Sequence, residues 1–267
     1  LGDVAARGDK PLSVYVHIPF CESLCYYCAC NKVVTRHHDR AARYLDNLIR
    51  EIELHVQRLG GRRAMSQLHF GGGSPTFMSD GELARLVAAL DAAFDRTTDI
   101  EASIEVDPRT VTAERLAALK RLGFNRISFG VQDFDEQVQQ AVHRIQPESQ
   151  VRSMMAAARE LGFVSINVDL IYGLPKQSGV SFARTVERVV ALRPDRIALY
   201  AYAHLPQRFK PQRRIHEADL PMPQERITML ATAIERFTAQ GYDYIGMDHF
   251  ALPDDALAVA KRERRLH

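Results

Sequence analysis

Ser13-Val-Tyr-Val-His-Ile-Pro-Phe-Cys-Glu-Ser-Leu-Cys-Tyr-Tyr-Cys-Ala-Cys30 is the stretch on which the fold turns. Its first half alternates as a strand does. Val14, Val16 and Ile18 take one face, and Tyr15 and His17 take the other. Its second half holds all four cysteines of the chain. A Cys-x3-Cys-x2-Cys run sets three thiolates, Cys21, Cys25 and Cys28, on one short loop, which suits three corners of a cubane iron–sulfur cluster. Three ligands on four irons leave one iron open. A molecule bringing an amine and a carboxylate chelates there, as S-adenosylmethionine (SAM) does. One electron from the cluster then cleaves its sulfonium to a 5′-deoxyadenosyl radical.

Two plainer readings compete. Disulfides would close tiny loops in a chain that shows no signal peptide and is large enough to bury its own core. Structural zinc favours four ligands in paired knuckles, and no second pair exists here. Cys28 and Cys30 are one residue apart, too close for all four thiols to hold one ion without strain. The cluster is the stronger reading.

At 267 residues the chain fits one α/β barrel. A formal charge of +2 with 25% charged residues carries no strong nucleic-acid signature. No apolar run approaches the ~20 residues that cross a bilayer, so no membrane partner is expected. Unpaired thiols fit a reducing, cytoplasmic compartment. The chain begins at Leu1 rather than methionine, which leads us to expect part of a longer product.

Outward from the cysteines, apolar runs alternate with amphipathic ones. The expected strands are Ser13–Pro19, Gln67–Gly71, Ala102–Val106, Arg126–Val131, Ser165–Tyr172 and Arg196–Ala203. The expected helices are Arg40–Arg58, Gly81–Phe94, Ala113–Leu122, Gln150–Leu161, Phe182–Leu192 and Pro223–Gln240. Ser79-x-x-Glu82 reads as a capping box, and Gly123, Gly162 and Gly241 sit where left-handed helix stops belong. Six βα units predict a parallel sheet, open or closed into a partial barrel, with the chemistry at the C-terminal strand ends. A polar or glycine-rich signature follows every strand: the cysteine loop, Gly71-Gly-Gly-Ser-Pro-Thr76, Glu105-Val-Asp-Pro108, Gly130-Val-Gln-Asp133, Asp169-Leu-Ile-Tyr-Gly-Leu-Pro175 and Tyr202-Ala-His-Leu-Pro206.

Each signature has a chemical and a plain reading. The glycines at 71–73 let backbone approach a ligand amine, or only make a tight turn. Glu105, between Ile104 and Val106, needs partners for its carboxylate: ribose hydroxyls, or a buried salt bridge. Asp169 and Gln132 invite the same argument. Tyr15 and His17 suggest a wet inner face, although a lone histidine is more often a satisfied core residue. Arg144 would grip a carboxylate bidentately, or end a solvated helix. The basic stretch Gln207-Arg-Phe-Lys-Pro-Gln-Arg-Arg214 reads first as solvated surface, and second as a face for an anionic substrate.

These residues carry a resemblance. The cysteine motif after Tyr15-Val-His-Ile-Pro-Phe20, with Gly-Gly-Gly-Ser-Pro-Thr, is similar to the radical SAM superfamily. Cys28-Ala-Cys30-Asn-Lys32, Ile104-Glu-Val-Asp-Pro108, Gly130-Val-Gln-Asp-Phe134, Asp169–Gln177 and Gly246-Met-Asp-His-Phe250 resemble the bacterial oxygen-independent coproporphyrinogen III oxidase family, from about residue 13 to the end. The resemblance implies a partial (β/α)6 barrel at 13–250, after a remnant N-terminal extension at 1–12. It also implies that 251–267 begin a linker to a helical C-terminal domain that lies beyond this chain and covers the barrel.

It implies further that Cys21, Cys25 and Cys28 hold a 4Fe–4S cluster, that Cys30 is required without being a ligand, and that Tyr15 belongs to the catalytic site. Tyr15, Gly72, Glu105, Arg144 and Asp169 would contact one SAM. Tyr27, Gly73, Ser74, Gln132 and Ala203 would line a second, with Tyr27 where the family resembles phenylalanine. The implied reaction converts two propionates of a tetracarboxylate porphyrinogen to vinyl groups, in a monomer served by a reductant and an electron acceptor of unspecified identity. Three rivals stay open: a haem-binding radical SAM chaperone, against which Cys30 argues; a radical SAM methyltransferase or cyclase; and, last, a purely structural metal-binding α/β protein, which leaves the signature after every strand unexplained.

Overall fold

The computed structural model describes residues 10–266. The expected N-terminal remnant therefore lies outside the described residues, apart from positions 10–12. Contacts divide the chain into two units: residues to 23 with 30–106 and 110–126, and residues 24–29 and 107–109 with 127 onward.

In the first unit the chain runs through β1 (Leu12–Ile18), the short parallel pair β2 (Phe20–Cys21) and β3 (Val33–Val34), and α1 (Asp39–Leu59). It continues through β4 (Arg63–Gly72), α2 (Asp80–Ala93), β5 (Phe94–Val106) and α3 (Ala113–Arg121). β4 lies between β1 and β5, parallel to both, so each connection is a crossover. Val16 and Ile18 are buried while Tyr15 is exposed, so the alternation of the first strand is observed. Leu68, Phe70 and Ile104 on the strands and Leu45, Leu83, Leu86 and Leu90 on the helices are buried with them.

The capping box is present. Ser79 Oγ accepts from Glu82 N at 3.3 Å, and Ser79 N donates to Glu82 Oε2 at 2.8 Å. β5 is longer than the expected Ala102–Val106. Helix α2 stops at Ala93, and Phe94 pairs at once with Arg63 of β4. The ladder then skips from Arg96 to Glu101, and that irregularity hides the strand from a period-two reading.

In the second unit follow β6 (Arg126–Gln132), α4 (Glu136–Ala141), α5 (Glu148–Glu160), β7 (Ser165–Tyr172), α6 (Gly179–Leu192) and β8 (Arg196–Ala201). α7 (Pro223–Ala239), β9 (Asp243–Gly246), β10 (His249–Ala251) and α8 (Ala256–Arg262) complete it. β7 and β8 are parallel, while β10 runs antiparallel to β8 and β9. Phe129, Ile166, Val168, Phe182, Ile197, Phe237 and Phe250 form the core. Gly123, Gly162 and Gly241 adopt φ of 91°, 76° and 85°, the left-handed stops expected of them.

Several elements went unread in the sequence, the short β2–β3 pair among them. α4 is only six residues long, capped by Asp135 accepting from Gln137 N and Val138 N. The β9–β10 hairpin turns on Met247 and Asp248, at φ 49° and 59°, without the Asn-Gly pair that advertises such a turn. α8 occupies the stretch expected to begin a linker.

Candidate functional site

The first unit assembles a polar line across three parallel strands. Tyr15 and His17 on β1, His69 on β4, and Ser103 and Glu105 on β5 project from the face opposite Val16 and Ile18. The Tyr15 hydroxyl lies 3.0 Å from His17 Nδ1, and its ring stacks on His69 at 5.6 Å between centroids. His17 Nε2 reaches the Asn31 carbonyl at 2.9 Å. His69 lies 2.5 Å from Ser103 Oγ and 3.3 Å from Glu105 Oε1. Burial, then the charges of Glu105 and Cys30, push the Tyr15 phenol above its ordinary pKa.

Glu105 departs from expectation, because its side chain is 40% exposed rather than sealed in the strand. It accepts from Gly72 N at 3.1 Å and meets His69 Nε2 at 3.3 Å, so one amide and one imidazole stand in place of a sealed salt bridge.

The glycine run is crowded by the protein itself. A Cβ on Gly71 would lie 2.8 Å from Glu105 Oε1, and one on Gly72 would lie 2.6 Å from the His17 ring. At Gly73 it would lie 2.7 Å from the Phe20 carbonyl oxygen. The amides of Gly73 and Ser74 donate to Ile18 O and Phe20 O at 2.8 Å each. The glycines thus make a tight turn whose amides are already satisfied by the chain. Cys21 belongs to this unit, half-buried, and Cys30 is exposed.

The second unit holds the middle of the cysteine loop. Tyr26 N donates to Val142 O at 2.9 Å, and the Tyr26 ring stacks on His143 at 5.1 Å and under Arg214 at 5.0 Å. Tyr26 and Tyr27 pack on a cluster of Val138, Val142, Ile171, Leu174, Tyr202 and Ile215. Burial pushes the Tyr27 phenol well above its ordinary pKa, with Arg144 opposing.

Arg144 is not a solvated helix end. Its side chain is 8% exposed. It donates to Gly130 O at 2.6 Å, Asp107 Oδ2 at 3.2 Å and Cys25 Sγ at 3.5 Å, and its buried Nε has no partner among the described residues. Arg109 chelates the same Asp107 through Nε and Nη2 and lies 3.9 Å from Cys25 Sγ. Burial raises the pKa of Asp107, but Arg144 and Arg109 outweigh it, and the carboxyl ends below its ordinary value.

Asp169 accepts from Ser128 Oγ at 3.0 Å and Asn167 Nδ2 at 2.8 Å. Gln132 closes β6 at φ 68° with its amide over Gly130. Ala203 is exposed, and its carbonyl shares Gln212 Nε2 with the Tyr27 carbonyl, at 3.1 and 3.0 Å. Gln212 is fully buried. The basic stretch therefore folds around one neutral amide that the charge pattern concealed, while Arg213 and Arg214 stay exposed. Arg109, His69 and Gln212 were missed. His69 repeats the inward position of Tyr15 and His17, and could have been found by that register alone.

None of the four cysteines forms a disulfide. Among the described residues, no three His, Cys, Asp or Glu side chains converge on a point that one ion would occupy. Thiols outside disulfides are what the thiolate ligands of a cluster require. The two guanidiniums beside Cys25 suit an anionic thiolate, and the orphan Nε of Arg144 suits a further anion. The residues fit the group.

Among the described residues no helix is long and apolar enough to cross a membrane. Curated relatives named oxygen-independent coproporphyrinogen III oxidase include those of Pseudomonas aeruginosa, 53% identical over 97% of this chain, and Escherichia coli, 52% identical over 99%. This chain spans only 57% and 58% of their lengths. A solved structure, the coproporphyrinogen III oxidase of Escherichia coli described as a radical SAM enzyme, matches with a TM-score of 0.94 at 51% identity, over 98% of this chain and 60% of that one. That likeness bears out the α/β fold with its parallel strands, and with the fold comes the cluster-and-SAM chemistry the cysteines suggested. The radical SAM superfamily profile covers residues 15–189, from the aromatic line of β1 through α6, and this chain belongs to that superfamily.

Proposed function

We propose that this chain is the radical-generating part of an oxygen-independent coproporphyrinogen III oxidase, acting on two propionates of a tetracarboxylate porphyrinogen. The observation that carries this reading is identity above 50%, sustained over nearly the whole chain, to proteins of that name.

In this reading Cys21, Cys25 and Cys28 hold a 4Fe–4S cluster, and SAM completes it. When bound, the pair supplies a 5′-deoxyadenosyl radical able to take hydrogen from an unactivated carbon. The protein's part is holding and screening. Glu105, fixed by Gly72 N and His69, offers its half-exposed carboxylate to ribose hydroxyls. Asp169 is oriented for the same work by Ser128 and Asn167. The unpartnered Nε of Arg144 gives a carboxylate a charged donor. Gly72 contributes backbone between the His17 ring and the Glu105 carboxylate. Tyr27, Gln132 and Ala203, with Gly73 and Ser74, serve a second SAM. Tyr15, its hydroxyl held by His17, and the exposed Cys30 serve the reacting side. The cytoplasm is the compartment in which such thiols stay reduced.

The test uses reconstituted protein under anaerobiosis with dithionite, SAM and coproporphyrinogen III, run beside the full-length gene product. Mass spectrometry follows 5′-deoxyadenosine and porphyrin products. Substrate-dependent 5′-deoxyadenosine, with loss of carbon dioxide and two hydrogens per propionate in the full-length protein, is the expected result, and Cys21→Ser, Cys25→Ser and Cys28→Ser should each abolish it. SAM cleavage without decarboxylation by the full-length protein would sink the substrate assignment.

A further inference from the structure

The Asp107-Pro-Arg109 turn after β5 belongs to the second unit with Leu24–Ala29, and nothing in the proposed chemistry so far uses it. Three ionic side chains meet there out of water. Arg144, Asp107 and Arg109 are 8%, 14% and 18% exposed at the side chain. Asp107 is the hinge of the group. Its carboxylate takes Arg109 Nε at 2.9 and 3.1 Å, Arg109 Nη2 at 2.6 Å, and Arg144 Nη1 at 3.2 Å. Both guanidiniums are left facing one atom, Cys25 Sγ, at 3.5 Å from Arg144 and 3.9 Å from Arg109. Two positive charges and one negative leave a net positive charge beside that sulfur.

A salt bridge built only for stability has no need of the second arginine, since one guanidinium already satisfies a carboxylate bidentately. Here the carboxylate instead aims two cations at a third group. A cluster gains one negative charge on reduction, so nearby cations and N–H···S donors stabilise its reduced form. Net charge and hydrogen bonds to sulfur are among the terms that set such potentials. Low exposure strengthens the coupling, because little water screens it.

We propose that Arg109, with Arg144 and braced by Asp107, is a positioning residue that raises the reduction potential of the cluster through the Cys25 sulfur. The inference rests on the cluster reading above, and it concerns how easily the cluster accepts its electron rather than which substrate follows. Asp107 works in the opposite sense, moderating the two cations it holds in place.

The experiment is an EPR-monitored redox titration of the reconstituted protein, with iron and sulfide counted for each variant. Arg109→Gln should retain the cluster and lower its midpoint potential. A tenfold fall in the reduced-to-oxidised ratio at fixed potential corresponds to ~59 mV for a one-electron couple. Arg109→Lys, which keeps the charge without the fork, should recover part of the shift. Asp107→Asn should move the midpoint upward. A full cluster in Arg109→Gln at the wild-type potential would overturn the inference, as would shifts of the same sign in Arg109→Gln and Asp107→Asn. If Arg109→Gln fails to load, the opposed shifts of Arg109→Lys and Asp107→Asn decide, and no shift in either refutes it. Wild-type protein unable to hold any cluster would instead overturn the cofactor reading together with this one.

Discussion

Gly73 shows how tightly single residues are specified here. Its missing Cβ is the space taken by the Pro19–Phe20 backbone, with Pro19 C at 2.8 Å and Phe20 O at 2.7 Å. Backbone cannot rotate aside as a flexible side chain can. Gly73→Ala should therefore destabilise the protein by about 1–3 kcal/mol, as overpacking does, and should push on the residues immediately before Cys21. Chemical denaturation of the apo protein measures the first effect, and iron content after reconstitution the second. A fully stable, fully loaded variant would contradict the packing. The sequence made this glycine visible but not its reason. A run of three glycines announces close approach, and only the fold reveals that the close neighbour is the strand end beside it. Arg144 teaches the same lesson in reverse. Its charge was legible, but its burial depends on Asp107 and Cys25, which lie 37 and 119 residues away.

Among elements, those that carry their own signals were read well. β7 matches its expected bounds, since it is buried almost throughout and flanked by a left-handed glycine and a Gly-Leu-Pro turn. Helix α2 begins where its capping box says it must. Ser79→Ala removes the hydroxyl acceptor for Glu82 N, and should cost about 1 kcal/mol. Thermal melting should register the loss, with Ser79→Asp restoring most of it. The elements that escaped are those whose stability comes from elsewhere. α4 is too short for periodicity, and the β9–β10 hairpin is fixed by its antiparallel pairing to β8. The C-terminal half of β5 was found, whereas its N-terminal half was lost to a break in register.

For the molecule as a whole, two largely buried carboxyls shifted in opposite directions contribute to stability in acid. Asp107 is held below its ordinary value, because Arg144 and Arg109 outweigh burial. Its stabilising contribution is present above the unfolded carboxylate pKa and is lost as pH falls through the folded one. Asp133 is raised, burial outweighing its bonds from Asp135 N, Gln177 and Thr185. Its contribution is full below the unfolded value and fades as pH rises through the folded one. Asp107→Asn should therefore cost on the order of 3 kcal/mol at neutral pH, as for other broken buried pairs, and the gap from wild type should close as pH drops below about 4. Apo-protein melts across that range would show it, and a pH-independent gap would contradict the pairing.

The Gln212 amide also has a consequence for the order in which the chain is made. It fastens Tyr27, in the middle of the cysteine loop, across 185 residues of sequence. At ribosomal speeds of roughly 5–20 residues per second, the thiols emerge on the order of ten seconds or more before their anchor exists. During that interval Tyr26, Tyr27 and Cys25 lack the partners that Val142, Gln212 and Arg144 will provide. If the loop holds the proposed cluster, its iron arrives only after these later segments exist, and the newborn thiols depend on the reducing power of their surroundings until then.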